Sequence, residues 1–306
     1  MAQAENLNLT NNPDIMKMNL KSLALIVVLL ASSVVGAQKQ TPKNYPSKKA
    51  KSKDWVMMLD KDLSQWEVWT GVPDASIVDL PEGYKQETDG TNKEAVGLGD
   101  PMGVYTITED ENGELVLNIS GQIYAGLTSL ETYSNYHMTL LFKWGEKKFA
   151  PRLDAKRDNG ILYHCHGNHG RFWNVWKASL EYQIQEADFG DLYTLGGTTS
   201  KVRANDKNRW DPTSDNIKKN CKNALDAESP HGEWTRVDLY VVGDKAIHMT
   251  NGVVVLALKD AKSRDGKALT EGQIQIQCEG AEAYVKDICI RPITKFPKKL
   301  LKAANF

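Results

Sequence analysis

The chain has 306 residues, 25% of them charged, and its 38 basic side chains almost cancel 39 acidic ones. So even a balance offers no broad basic surface and argues against nucleic acid as a partner. Four cysteines, at 165, 221, 278 and 289, are too few and too scattered for a disulfide framework. Reduced, buried thiols are the main expectation, with Cys278 and Cys289 the favoured pair should one oxidise.

Residues 16–37 read as a secretory signal, and residues 1–15 as an upstream extension. Lys17 and Lys21 precede an apolar run over 23–35 that falls short of the roughly 20 residues a membrane-spanning helix needs. Val35-Gly36-Ala37 then provides a cleavage site before Gln38. The expected product is secreted or periplasmic and keeps no membrane span. Residues 38–53, rich in Lys, Pro, Ser and Gln, read as a disordered linker whose basic run is solvated.

From residue 54 onward, short β-prone runs alternate with Gly, Asn, Asp and Pro, and no long 3.6-residue period occurs before the C-terminal tail, 295–306. This predicts one all-β domain over 54–294. Runs at 104–108 and 114–119 bracket Asn112-Gly113, a hairpin dipeptide tolerant of positive φ. Over 136–144, Tyr136, Met138, Leu140, Phe142 and Trp144 form a core row opposite His137, Thr139, Leu141 and Lys143. Residues 196–232 read as a long loop anchored by Trp210. Runs at 234–242, 245–250 and 253–258, joined by Gly243-Asp244 and Asn251-Gly252, predict a β-meander, and 273–278 and 283–290 complete the set. No Gly-rich phosphate loop, nucleophile elbow or HExxH helix is present, which argues against nucleotide enzymes, serine hydrolases and zincins.

Chemistry concentrates in residues 159–186. In extended chain Ile161, Tyr163 and Cys165 oppose Leu162, His164 and His166, while Glu181, Gln183 and Gln185 oppose Tyr182, Ile184 and Glu186. If the polar rows share a sheet face, two imidazoles meet a carboxylate and two amides, which suits a divalent metal or a polar ligand such as a sugar. Gln273, Gln275 and Gln277 form another polar row, so the sheet is expected to have one wet, ligand-facing side.

Several landmarks in order resemble the family once catalogued as domain of unknown function 1080, the 3-keto-disaccharide hydrolases or 3-keto-glucoside lyase/hydratases. Leu59-Asp60 through Leu63 and Trp66 is similar to its opening element, with Lys61 where glycine is usual. Asp158-Asn159-Gly160-Ile161, Glu181-Tyr182-Gln183-Ile184 and Asn251-Gly252 resemble its Asn-Ser-Gly-Ile, Glu-Tyr-Gln-Ile and Asn-Gly motifs, and 272–277 and 285–290 its closing strands. His164 stands where arginine is frequent, and Glu186 where aspartate is common. The resemblance implies a concanavalin A-like jelly-roll β-sandwich of two antiparallel sheets with a concave-face site.

It also implies a glycoside already oxidised at C3 by a separate dehydrogenase. The ketone acidifies the C2 hydrogen, so a base can start elimination of the C1 substituent, and water can re-add to the product. On this expectation His166 and Glu181 hold a divalent ion, with His164 as third ligand or as base. Gln183 and Lys143 orient the ketone, Gln185, Glu186 and Gln277 line the pocket, and Trp173 and Trp176 form a stacking wall. The alternative is a noncatalytic, lectin-like carbohydrate-binding module on the same sandwich.

Overall fold

The computed structural model describes residues 54–77, 79–84 and 93–306. The expected leader and linker lie outside the described residues. In chain order the first strands are β1 (Val56–Met57), β2 (Trp66–Thr70), β3 (Gly97–Leu98), β4 (Tyr105–Glu109), β5 (Leu115–Ile119) and β6 (Ala125–Ser129). The long β7 (Tyr136–Lys148) follows, then β8 (Asp158–His166), β9 (Ala178–Gln185), β10 (Leu192–Leu195), β11 (Thr199–Arg203) and β12 (Ile217–Lys218). β13 (Thr235–Val242), β14 (Lys245–Thr250), β15 (Val253–Lys262), β16 (Gln273–Cys278) and β17 (Ala281–Pro292) complete the strands, and helix α1 (Lys298–Ala304) follows.

They form two sheets. A ten-stranded sheet runs β12-β11-β15-β14-β13-β7-β17-β5-β4 with β1 added beside β17, and a seven-stranded sheet runs β10-β9-β8-β16-β6-β2-β3. The strand pairings are antiparallel. The alternation read from the sequence explains why the sheets stack. Met138, Leu140 and Phe142 from one sheet and Ile161, Leu180, Tyr182, Ile184, Ile274 and Ile276 from the other belong to a single buried core. Each such side chain contributes about 1.5–3 kcal/mol on burial. The result is the expected jelly-roll β-sandwich.

Several polar groups caught between the layers are paired. Tyr163 donates its hydroxyl to His248 Nε2 at 2.9 Å, and His248 Nδ1 donates to the Gly190 carbonyl at 2.9 Å. Burial holds His248 neutral, with its pKa down at about 4. Tyr182 reaches Thr250 Oγ1 at 2.7 Å. The predicted turns are hairpins, with Gly113 and the pair Asn251 and Gly252 all at positive φ.

One expectation is corrected. The stretch 196–232 is no structureless loop: it contributes β11 and β12, and Val202, Ala204, Trp210 and Cys221 join the core. Its strands are too short for a period to show. All four cysteines are free and buried, and Cys278 and Cys289 lie in different sheets, Cys289 against the Met57 sulfur at 3.8 Å.

Candidate active site

The outer face of the seven-stranded sheet carries a polar floor. On β9, Leu180, Tyr182 and Ile184 face the core, which turns Glu181, Gln183 and Gln185 outward. On β16 the same parity turns Gln275 and Gln277 outward, and the row continues one step beyond the strand to Glu279. Gly160 of β8 lies between the two rows, paired with Gln183. A Cβ at Gly160 would stand 2.3 Å from Gln277 Oε1 and 2.4 Å from Glu181 Oε1, so the missing side chain is what lets these groups converge. Glu181 and Gln277 are only 5% and 1% exposed.

Charge here is unbalanced. Arg152 bonds Asp158 and reaches Glu279 Oε1 at 3.0 Å, while Gln185 also donates to Asp158. Burial pushes the Asp158 carboxyl up to about 6 against the pull of Arg152. Burial, then Asp158, raises Glu279 well above the ordinary carboxylate range, again opposed by Arg152. Glu181 is raised well above that range by burial, then by Glu279 and Asp158. Arg152 thus serves two carboxyls, Asp158 and Glu279, and burial beside them pushes Glu181 toward its neutral form.

The other half of the face is aromatic. Trp176 packs with Leu162, Cys165 and Val175, and stacks on Tyr124 with centroids 5.7 Å apart. Tyr124 joins the two halves, because burial and then the Glu279 charge raise its phenol to about 12. Trp173, 63% exposed, lines a cleft of about 240 Å³ with Tyr124, Val175, Gln122 and Asp74. Its backbone and that of Asn174 are left-handed, at φ 53° and 58°, a costly conformation for a bulky residue. Trp69 Nε1 pins the turn by donating to the Asn174 carbonyl at 3.0 Å.

Of the residues picked from sequence, Glu181, Gln183, Gln185, Gln277, Trp173 and Trp176 belong to this face. The histidines do not. A bulge breaks the β8–β9 register between Tyr163 and His166, with His164 at φ 51°. Past it, Cys165 joins Leu162 and Trp176 on the outer side, reversing the expected phase. His164 is 1% exposed, and burial lowers its pKa to about 4. Its ring lies near the backbone of Gly243 and Glu271, though neither nitrogen makes a hydrogen bond of good geometry. His166 pairs with Ala178, in phase with the core-facing row, and lines a groove of about 610 Å³ with Arg171 and Arg264. As ligands to one ion, His164, His166 and Glu181 do not fit, and among the described residues no three His, Cys, Asp or Glu side chains are arranged to hold a metal.

Lys143 and Glu186 are also elsewhere. Lys143 lies on the ten-stranded sheet, 4.8 Å over the Trp234 ring. Glu186, past the end of β9, pairs with Arg157 at 2.8 Å. The residues that sequence reasoning missed are Asp158, Glu279, Arg152 and Tyr124. Glu279 was findable as the next member of the 273, 275, 277 row, and Asp158 shares parity with Gly160. Arg152 comes from a connection without periodicity, so nothing in the sequence marked it.

The sequence profile of the 3-keto-alpha-glucoside-1,2-lyase-like domain matches residues 54–291. The chain belongs to this family. Membership makes it a carbohydrate-active domain with the character of a carbohydrate-processing enzyme. Among solved structures it is similar to a Parabacteroides distasonis protein provisionally described as a glycosyl hydrolase, with 14% identity over 82% of this chain and 99% of that one and a TM-score of 0.47. It is also similar to the carbohydrate-binding module CBM66 from Bacillus subtilis, with 9% identity, 61% and 91% coverage and a TM-score of 0.39. A Bacillus subtilis protein of unknown function with a galectin-like fold shows 14% identity, 61% and 87% coverage and a TM-score of 0.41. No curated protein matches the chain.

Proposed function

We propose that this 3-keto-alpha-glucoside-1,2-lyase-like protein cleaves glycosides already oxidised at C3, by elimination followed by hydration. The observation that supports this best is the buried Glu181 carboxyl beside the Asp158–Glu279 pair, its pKa raised well above the ordinary carboxylate range, on a sheet face that also carries the exposed Trp173. A surface built only to bind sugar has no use for a buried acid that its surroundings make hard to ionise.

In the proposed sequence the sugar ring stacks on Trp173 and its reacting edge meets the polar floor. Glu279, whose Oε1 Arg152 holds at 3.0 Å where Glu181 has no such contact among the described residues, acts in its ionised form and takes the C2 proton, and the electron pair moves onto the C3 oxygen as an enolate. Collapse of the enolate restores the ketone, forms the C1–C2 double bond and breaks the bond from C1 to the leaving oxygen. Glu181 gives its proton to that oxygen. Water then adds its hydroxyl to C1 and a proton to C2, so the net change is hydrolysis. No step is routed through a metal, because the candidate ligands are not brought together.

The substrate would come from a separate dehydrogenase that oxidises C3 of a glycoside. We further propose export, with a mature N-terminus near Gln38; N-terminal sequencing of the secreted or periplasmic protein checks it, and protein retained in the cytosol would overturn it. Incubation with a 3-keto-glucoside should yield the free aglycone and a 3-keto sugar or its 1,2-unsaturated form. A lectin-like module would bind the glycoside and leave it intact.

A further inference from the structure

β9, β8 and β16 lie side by side. Neighbouring strands are about 4.8 Å apart, so side chains on the outer two start about 10 Å from each other and a side chain between them would keep their tips separate. Gly160 removes that obstacle. The point where its Cβ would sit is 2.3 Å from Gln277 Oε1 and 2.4 Å from Glu181 Oε1. Both residues are more than nine-tenths buried. Gln277 Oε1 has no hydrogen-bond partner among the described residues. Two buried acceptor oxygens crowd the same small space only at a cost unless a proton lies between them.

We propose that Gln277 is the positioning residue of the site: its Oε1 accepts the Glu181 carboxyl proton across Gly160 and holds the acid neutral and aimed until the leaving oxygen takes that proton. The role of Glu181 as acid is taken from the elimination chemistry proposed above. The charges around the pair favour the same arrangement. Asp158 from β8 and Glu279 beyond β16 act on Glu181 as negative neighbours, and Tyr193 of β10 stands opposite it. Arg152 spends its bonds on Asp158 and Glu279. The rival arrangement turns the Gln277 amide, so that its nitrogen donates to an ionised Glu181. The two arrangements predict opposite signs.

The test is carboxyl-carbon NMR of the full protein carrying ¹³C-labelled glutamate, with Glu181→Gln identifying the Glu181 resonance. In the wild type that carboxyl should be protonated at pH 7. Gln277→Met keeps the bulk and removes the acceptor, and should lower the Glu181 pKa by about one unit or more. Gly160→Ala, whose methyl would wedge between the oxygens, should lower it too, while Gln277→Glu should raise it. An ionised Glu181 at pH 7, or a Gln277→Met pKa that rises or stays put, overturns the proposal whatever the protein does to sugars. With a 3-keto-glucoside, the alkaline limb of kcat/KM should move with the NMR values. If the NMR shifts appear and the wild type turns nothing over, the elimination chemistry fails and the proton contact stands.

Discussion

The outer faces of the two sheets both carry ionisable side chains, and they end in opposite electrostatic states. On the ten-stranded sheet one cluster is charge-matched. Lys286 Nζ lies 3.0 Å from both Asp110 and Glu114 and 5.1 Å over Trp234, and its pKa is raised by these acids against the effect of partial burial. On the seven-stranded sheet Arg152 pairs with Asp158 and Glu279 while Glu181 sits beside them, all three carboxyls at most 5% exposed. The difference teaches that burial without enough countercharge pushes a carboxylate toward its neutral form, whereas the same residue type with a cation at hand does no more than solubilise a sheet.

The largest expected effect is on turnover. Glu181→Gln should lower kcat toward a 3-keto-glucoside about 10²- to 10⁴-fold, the usual scale for a general acid, as single-turnover measurements would show. The same variant should gain stability. A Glu whose pKa is raised on folding contributes fully below its unfolded pKa near 4.3 and loses that contribution as pH rises toward its folded value. Glu181→Gln should therefore exceed the wild type by on the order of 1–3 kcal/mol at pH 7 and by nothing near pH 4, measured by urea unfolding at both pH values. A variant less stable at pH 7 would mean that the carboxyl is not held protonated.

Smaller effects should sharpen the contrast. His164→Asn keeps a residue type that tolerates the left-handed backbone, and its kcat should stay within about tenfold of wild type, against the 10²- to 10⁴-fold expected if that imidazole were the base. At the bottom of the scale, Lys286→Met in the charge-matched cluster should cost about 1 kcal/mol or less and leave kcat/KM unchanged, since partly exposed ion pairs contribute little. A large loss of activity there would erase the distinction between the faces.

The sandwich was legible because core alternation on β7, β9 and β16 survives any detail of the turns. The carboxylate floor was half legible. Glu181 and Gln277 sat on rows whose parity held along whole strands, but the histidine row ran through a bulge, and one inserted residue exchanges the faces of everything after it. Nothing in the run around His164 announces that bulge. Lys143 was misplaced for a different reason: alternation tells which side of its own sheet a residue faces, not which sheet its strand joins. Arg152, which binds both Asp158 and Glu279, comes from the connection between β7 and β8, where no period exists to be read.

The most direct test of the account follows the C2 hydrogen. In deuterated water, a 3-keto-glucoside should gain deuterium at C2 at least as fast as the wild-type protein releases its aglycone, measured by proton NMR against an enzyme-free control. Glu181→Gln should still catalyse that exchange while releasing aglycone at least about 10²-fold more slowly. Cleavage that leaves the C2 hydrogen in place, or a Glu181→Gln protein that cleaves at the wild-type rate, would contradict elimination driven by the carboxyls of the seven-stranded sheet.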